Sequence, residues 1–201
     1  MKGALDTVIF DVGRVLFDFS MDGLFDFFSR AGLEVKGTAD FLEKTDELSY
    51  EKGELSTEQF LSNVEGILGG KVDRELIIRR WVCIFKPVRG MLSLLSHLRA
   101  RYRVLLLSNT NELHWQFLLD RYHLGSRVDG YLTSFEARSA KPEPEIYGRM
   151  IDEFSLKVDE CLFIDDLEEN VQAAEALGIA GIHHINEEET RCHLRKLGVE
   201  C

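Results

Sequence analysis

The chain has 201 residues, a length that predicts one domain or one domain carrying an insertion. Its hydrophobic fraction of 45% and charged fraction of 29% are ordinary for a soluble globular protein. The formal net charge of -11, without a basic stripe, argues against a nucleic-acid partner, and no segment is long and apolar enough to predict a membrane span. A monomer and a homodimer both stay open.

The four cysteines, Cys83, Cys161, Cys192 and Cys201, are scattered and form neither a C-x-x-C pair nor a metal-binding spacing. So few cysteines in a chain of this length predict reduced thiols rather than a disulfide scaffold. The apolar stretch after Lys2 is short and is broken by acidic residues, so it does not predict a signal peptide. We therefore expect a cytoplasmic protein.

In chain order, five short apolar runs predict buried parallel strands, because polar residues do not alternate with the apolar ones. These runs are residues 7–11, 103–108, 130–133, 161–165 and 181–185. Helical periodicity lies between them, at residues 88–99, 112–122, 143–154 and 168–177. Strands that alternate with helices predict an α/β fold built on a doubly wound parallel sheet.

The segment from about residue 18 to residue 85 interrupts this alternation. It contains no convincing strand, and its periodicity predicts helices near residues 21–31, 38–50, 56–68 and 73–81. Ser56, followed by Gln59 three positions later, is a capping-box pattern for one helix start. We expect roughly four helices inserted as a cap (residues 17–86) over a core formed by residues 1–16 and 87–201.

Polar residues cluster where the predicted strands end, and ligands of parallel α/β sheets bind beyond that edge. The strand ends and the loop after the third strand contribute Asp11, Ser108, Asn109, Lys141, Asp165 and Asp166. Carboxylate oxygens are the ligands that Mg²⁺ prefers, and the ion can shield the repulsion between an attacking carboxylate and a phosphate group. The set therefore predicts magnesium-assisted phosphoryl transfer.

Four motifs occur in the order found in the haloacid dehalogenase-like hydrolase superfamily, which the chain resembles along nearly its whole length. They are VIFDVGRVL at residues 8–16, LSNT at 107–110, KP at 141–142 and FIDD at 163–166. Each motif is short, but all four in order, with a helical insert after the first, form a specific pattern. Residues 50–56, Asn111, His114 and Asn170 further resemble the branch that includes bacterial α-D-glucose-1-phosphate phosphatase.

The resemblance implies a Rossmann-like core with a helical cap, and it implies a catalytic role for several matched residues. Asp11 would attack phosphorus and form an aspartyl-phosphate intermediate. Ser108 and the backbone N–H of Asn109 would bind the phosphoryl oxygens. Lys141 would neutralise charge on Asp11 and on the phosphoryl group. Arg14 stands where the family commonly has glycine or asparagine, and we expect it to face the cap and contact the substrate.

The resemblance also implies a Mg²⁺ cofactor and a small phosphorylated metabolite, such as a hexose 1-phosphate, as substrate. Asp11 and the backbone carbonyl of Gly13 would ligate the metal. Asp166 would be the main acidic ligand of the fourth motif, and Asp165 would be a second ligand or would support the first ones.

One position departs from the family pattern, because most of its phosphatases carry a second aspartate where this chain has Gly13. That aspartate protonates the leaving group, and glycine has no group to do so. Three interpretations stay open: a substrate with a good leaving group, a compensating group elsewhere, or a weakly active or non-catalytic binding protein. A metal-independent 2-haloacid dehalogenase is a further alternative, since those enzymes also lack the second aspartate.

Overall fold

The structure of the chain, a computed structural model, describes residues 4–200. The predictions that involve Lys2 and Cys201 lie outside these residues. The strands of this part of the chain are β1 (Thr7–Phe10), β2 (Phe17–Phe19), β3 (Phe85–Pro87), β4 (Arg103–Ser108), β5 (Gly130–Thr133), β6 (Cys161–Asp165) and β7 (Ala180–His183).

Helices connect these strands, and within residues 4–200 none is long and apolar enough to cross a membrane. They are α1 (Asp22–Arg30), α2 (Thr38–Thr45), α3 (Glu47–Glu51), α4 (Thr57–Ile67), α5 (Arg74–Val82), α6 (Arg89–Leu98), α7 (Glu112–Tyr122), α8 (Ser134–Ala137), α9 (Pro144–Phe154), α10 (Glu168–Ala176) and α11 (Glu187–Lys196).

Five strands form one parallel sheet in the order β5-β4-β1-β6-β7, with β1 in the centre. Successive residues of β1 point to opposite faces, as strand geometry requires. Val8 and Phe10 join one buried cluster with α6 and α7, and Ile9 joins another with α9. Helices therefore cover both faces, and the predicted doubly wound parallel sheet is confirmed.

Residues 22–82 form a helical insert with an apolar core of their own around the fully buried Trp81. The insert contains five helices rather than the four predicted. Asp46, at φ +57°, takes a left-handed conformation that ends α2 and begins α3, so the predicted run of residues 38–50 is divided. The capping box at Ser56 and Gln59 is present at the start of α4.

Two strands border the insert, and the prediction that residues 18–85 contain no strand was therefore wrong. β2 and β3 pair antiparallel, with Phe17 opposite Pro87 and Phe19 opposite Phe85. Three residues are too few for a period-2 pattern to stand out in a sequence. This ribbon carries the chain from the sheet into the insert and back.

Polar contacts hold the insert against the core. Lys52 pairs with Glu143 at 2.5 Å, and the Ser134 hydroxyl donates to the carbonyl of Glu51 at 2.7 Å. Gly53 approaches the core so closely that a Cβ atom there would lie 2.3 Å from the carbonyl oxygen of Phe135. The insert is thus closed onto the carboxyl edge of the sheet.

We expect Gly53→Ala to destabilise the protein more than Gly69→Ala does. Both glycines have positive φ, +66° and +63°, so alanine at either position carries about 1–2 kcal/mol of backbone strain. A Cβ at Gly69 would meet only the end of the Lys71 side chain, at 3.8 Å. Urea titration should show that Gly53→Ala loses at least about 1 kcal/mol more free energy of unfolding. Equal losses would contradict the close contact.

Candidate active site

The carboxyl ends of β1, β4 and β6 lie side by side at one edge of the sheet. Phe10 at the end of β1 is paired with Leu106 of β4 and with Ile164 of β6. The backbone N–H of Asp11 donates to the carbonyl of Ile164 at 2.8 Å, so Asp11 and Asp165 follow neighbouring strand positions. The register of the sheet therefore brings the polar strand ends together.

The ammonium group of Lys141 joins these strand ends. Its Nζ lies 2.5 Å from Asp11 Oδ1, 2.7 Å from Asp165 Oδ2 and 3.0 Å from the carbonyl oxygen of Leu107. An ammonium has three N–H donors, and each has an acceptor here. Burial alone would lower the pKa of Lys141, but the charges of Asp11 and Asp165 outweigh it and raise the pKa above its ordinary value. Lys141 is therefore a fixed positive charge beside Asp11.

Asp11 is buried, and its surroundings shift its pKa in opposite directions. Burial raises the pKa of Asp11 to about 7, the charge of Lys141 opposes that rise, and repulsion from Asp165 and Asp166 adds to it. Lys141 thus favours the carboxylate form of Asp11 that can act as a nucleophile.

The two adjacent aspartates after β6 have different surroundings. Both oxygens of Asp165 are hydrogen-bonded: Oδ1 accepts from Leu167 N and from Asn170 Nδ2, each at 2.9 Å, and Oδ2 accepts from Lys141. Asp166 is half-buried, and burial together with the charge of Asp165 raises its pKa. Asp165 is therefore fixed in place, whereas Asp166 faces more open space.

The loop after β4 combines a buried hydroxyl with a support for Lys141. Ser108 is buried at the end of the strand. The Asn109 side chain donates to the Lys141 carbonyl at 2.8 Å and accepts from the Lys141 backbone N–H at 2.8 Å. This reciprocal pair fixes the loop that carries the lysine, a role for the Asn109 side chain that the sequence did not predict.

A tight turn follows Asp11. The carbonyl of Gly13 accepts from the backbone N–H of Val15 at 2.6 Å. A Cβ added to Gly13 would lie 3.4 Å from the Phe19 ring and 3.9 Å from Asp11 Oδ2, both ordinary or only slightly tight contacts. Gly13 therefore leaves space beside the nucleophile. Its backbone does not have a conformation that only glycine can adopt.

Arg14, predicted to contact the substrate, is half-exposed, and its side chain contacts other residues of this chain. Its guanidinium pairs with Asp18 and stacks 4.2 Å from the centre of the Phe19 ring. Burial raises the pKa of Asp166, and the charge of Arg14 opposes that rise. The other predicted site residues are brought together at the sheet edge.

The donor set fits a hard divalent cation. One carboxylate oxygen from each of Asp11, Asp165 and Asp166 lies within 4.8 Å of the others. Three carboxylates around a single ammonium leave an excess of negative charge, which a bound cation would balance. Oxygen ligands of this kind suit Mg²⁺.

A cavity of about 230 Å³ lies between the sheet edge and the helical insert. Gly13 and Ser108 contribute to its wall from the core, and Glu47 and Glu51 of α3 contribute from the insert. Residues of the core and of the insert therefore line the same cavity, which reaches Val12 and Gly13, just after Asp11 in sequence.

His114 forms another part of the cavity wall and packs against the insert. Its ring stacks on Trp81 at 5.7 Å, its Nε2–H donates to the Trp81 carbonyl at 3.0 Å, and its Nδ1 accepts from Asn111 at 3.0 Å. Burial lowers the pKa of His114 to about 4, so the ring is neutral at physiological pH. His114 therefore both packs against the insert and lines the cavity.

The chain matches a known family of enzymes. The model of the haloacid dehalogenase-like hydrolase family matches residues 5–178, and the chain belongs to this family. It is 29% identical over 185 residues to the D-ribitol-5-phosphate phosphatase of Bacteroides thetaiotaomicron, covering 87% of this chain and 89% of that protein. It is 26% identical to a sesquiterpene phosphatase of Aspergillus oryzae, covering 94% of each chain.

A solved structure supports the same assignment. A family enzyme from Bacteroides thetaiotaomicron, in complex with magnesium and inorganic phosphate, matches at a TM-score of 0.80 and 28% identity, covering 89% of this chain and 93% of that one. The family and fold predicted from the four motifs are therefore confirmed. The chain is a hydrolase, and its named relatives place it among the family's phosphatases. The likeness to the glucose-1-phosphate phosphatase branch stays a resemblance.

Proposed function

We propose that this chain is a Mg²⁺-dependent phosphatase that hydrolyses a small phosphorylated metabolite through an aspartyl-phosphate intermediate on Asp11. The observation that carries the proposal is the buried cluster in which Lys141 bridges Asp11 and Asp165, with the Asp166 carboxylate beside them. A carboxylate held next to a fixed cation, at a sheet edge whose Gly13 and Ser108 line a cavity, suits attack on a phosphate ester.

Each residue of the cluster has a defined task in this reaction. A carboxylate oxygen of Asp11 attacks phosphorus, and the bond from phosphorus to the leaving oxygen breaks. Lys141 stabilises the charge on the transferring group, and Ser108 with the backbone N–H of Asn109 binds its oxygens. Water then attacks phosphorus, which releases phosphate and restores Asp11.

Mg²⁺, when bound, would shield the repulsion between the Asp11 carboxylate and the phosphate group. Asp11, Asp166 and the carbonyl of Gly13 are the groups we propose as its protein ligands. Asp165 already uses both oxygens in hydrogen bonds, so we propose that it acts by orienting Lys141.

The proposed substrate is a sugar phosphate, and a hexose 1-phosphate suits the site well. The cavity of about 230 Å³ is smaller than those that hold drug-sized ligands, roughly 300–1,000 Å³. Gly13 supplies no proton donor, and an anomeric oxygen needs less protonation than an ordinary alcohol oxygen. A relative named for a sugar-alcohol phosphate supports a small, hydroxyl-rich phosphate ester as substrate.

Residues 17–86 act as the cap of this enzyme in our proposal, because Glu47 and Glu51 of the insert line the same cavity as Gly13 and Ser108 of the core. The cytoplasmic location and the oligomeric state stay predictions.

A panel of phosphate esters, assayed for phosphate release with and without Mg²⁺, tests the proposed function. We expect turnover only with the metal, and we expect Asp11→Asn to lower kcat by at least about a thousandfold because an amide cannot act as the nucleophile. Asp26→Asn, which removes an exposed carboxylate from the insert, should retain wild-type activity.

Two results would contradict the proposal. One is the absence of phosphate release from every ester in the panel, or equal release by Asp11→Asn. The other is halide release from a 2-haloacid without metal, which would favour the dehalogenase alternative.

Gly13→Asp tests the reason for the proposed substrate preference. The structure has room for a side chain there, and a positioned acid contributes about a hundredfold to ten-thousandfold to rate. We expect the variant to turn over alkyl phosphates at least about tenfold faster than wild type, with a smaller gain on aryl phosphates, whose leaving groups need little protonation. Gly13→Asn, of the same shape but without the acid, is the control. Equal rates for both variants on alkyl phosphates would show that the missing acid does not limit them.

A further inference from the structure

Two glutamates of the insert face the cavity from one side of a single helix. Glu47 and Glu51 are four residues apart on α3, a spacing that puts both side chains on one face. Glu47 is 4% exposed. Its Oε1 accepts from the Asn111 side chain at 3.3 Å, but its buried Oε2 has no hydrogen-bond partner in the described part of the chain. A buried polar atom without a partner is costly, so this oxygen invites a ligand.

Nearby polar groups do not satisfy this oxygen because they are already engaged. Both ring nitrogens of His114 have partners, and Asn111 divides its amide between Glu47 and His114. Lys52, the cation next in sequence to Glu51, is paired with Glu143. The pair of glutamates therefore meets neither a counter-charge nor a donor beyond Asn111 among the contacts of residues 4–200.

Both carboxyl groups have raised pKa values. Burial, and then the charge of Glu51, raise the pKa of Glu47 to about 8, and burial raises the pKa of Glu51 to about 7. A protonated carboxyl group donates a hydrogen bond, and a carboxylate accepts one. Hydroxyl groups have the same two capacities, so they are matched partners, and a neutral hydroxyl requires no further charge in the cavity.

The rest of the wall contributed by the insert and the β3 ribbon is largely apolar. Leu42, Leu48, Ile84 and Phe85 line it and offer no side-chain hydrogen bonds. A phosphate group bound near Ser108 would place the remainder of the substrate toward this wall. Thr38 adds one hydroxyl to this wall, and the glutamate pair supplies its carboxyl groups.

We propose that Glu47 and Glu51 set the substrate specificity of this enzyme by binding hydroxyl groups on the leaving-group part of a sugar or sugar-alcohol phosphate. The inference rests on the proposed function, which it deepens by naming the residues that select a hydroxylated substrate. A site built to bind a hydroxyl group discriminates strongly against an analogue that lacks it, because its own polar groups are then left unpaired.

The test compares a pentitol 5-phosphate with pentyl phosphate, which has the same chain length without the hydroxyl groups. We expect wild type to prefer the pentitol ester by at least about tenfold in kcat/KM.

Glu47→Gln and Glu51→Gln should each reduce kcat/KM for the pentitol ester by about tenfold to a hundredfold, mainly through KM. They should change kcat/KM for pentyl phosphate by less than about threefold. Glu54→Gln, an exposed glutamate after the same helix, should change neither value. Unchanged melting temperatures establish that the variants are folded.

Other outcomes would overturn the inference. Equal losses on both esters would assign the glutamates to the chemical step or to structure, and wild-type kinetics in Glu47→Gln and Glu51→Gln would remove them from recognition. If wild type turns over both esters equally well, this inference fails and the proposed function stands. If wild type releases phosphate from neither of these two esters but does so from another ester of the panel with Mg²⁺, only this inference fails. If it releases phosphate from no ester of the panel, both fail.

Discussion

The ammonium group of Lys141 is buried at the point where three strands of the sheet end, and the site depends on it. It is hydrogen-bonded to Asp11, to Asp165 and to the backbone of β4. Breaking a buried ion pair by removing one partner leaves an uncompensated charge and typically costs about 3–5 kcal/mol. The same contacts that hold the sheet edge together therefore favour the charged form of the nucleophile and fix its orientation.

The second half of the site comes from the insert. In our proposal the core supplies Asp11, Lys141 and the phosphate-binding loop, whereas Glu47 and Glu51 of α3, which line the cavity, bind the rest of the substrate. A network runs between the halves, from Glu47 through Asn111 to His114 and the carbonyl of Trp81. In our account the chemistry and the choice of substrate thus reside in different parts of the chain, which are joined by this buried network.

The sequence predicted the sheet well because its strands are continuous apolar runs that end in polar residues, as at Asp11 and Asp165. It predicted the insert less well, since the break at Asp46 depends on one left-handed residue and the β2–β3 ribbon has three-residue strands. Asn109 and Lys141 are hydrogen-bonded although they are far apart in sequence, and a local sequence pattern cannot predict such a contact. Glu47 and Glu51 form an acidic pair at helical spacing, which is visible in the sequence. Acidic pairs on solvent-facing helices have the same spacing, so the pattern could not identify these two as cavity residues.

Chemical trapping of the phosphorylated enzyme tests the central claim most directly, that Asp11 is the nucleophile. The enzyme is quenched during turnover of a phosphate ester with Mg²⁺, reduced with borohydride, which converts an acyl phosphate to an alcohol, and mapped by peptide mass spectrometry. We predict that the reduced side chain is found at Asp11 and that no other carboxylate is modified. Modification of another carboxylate, or steady turnover without any trapped acyl phosphate, would contradict the account.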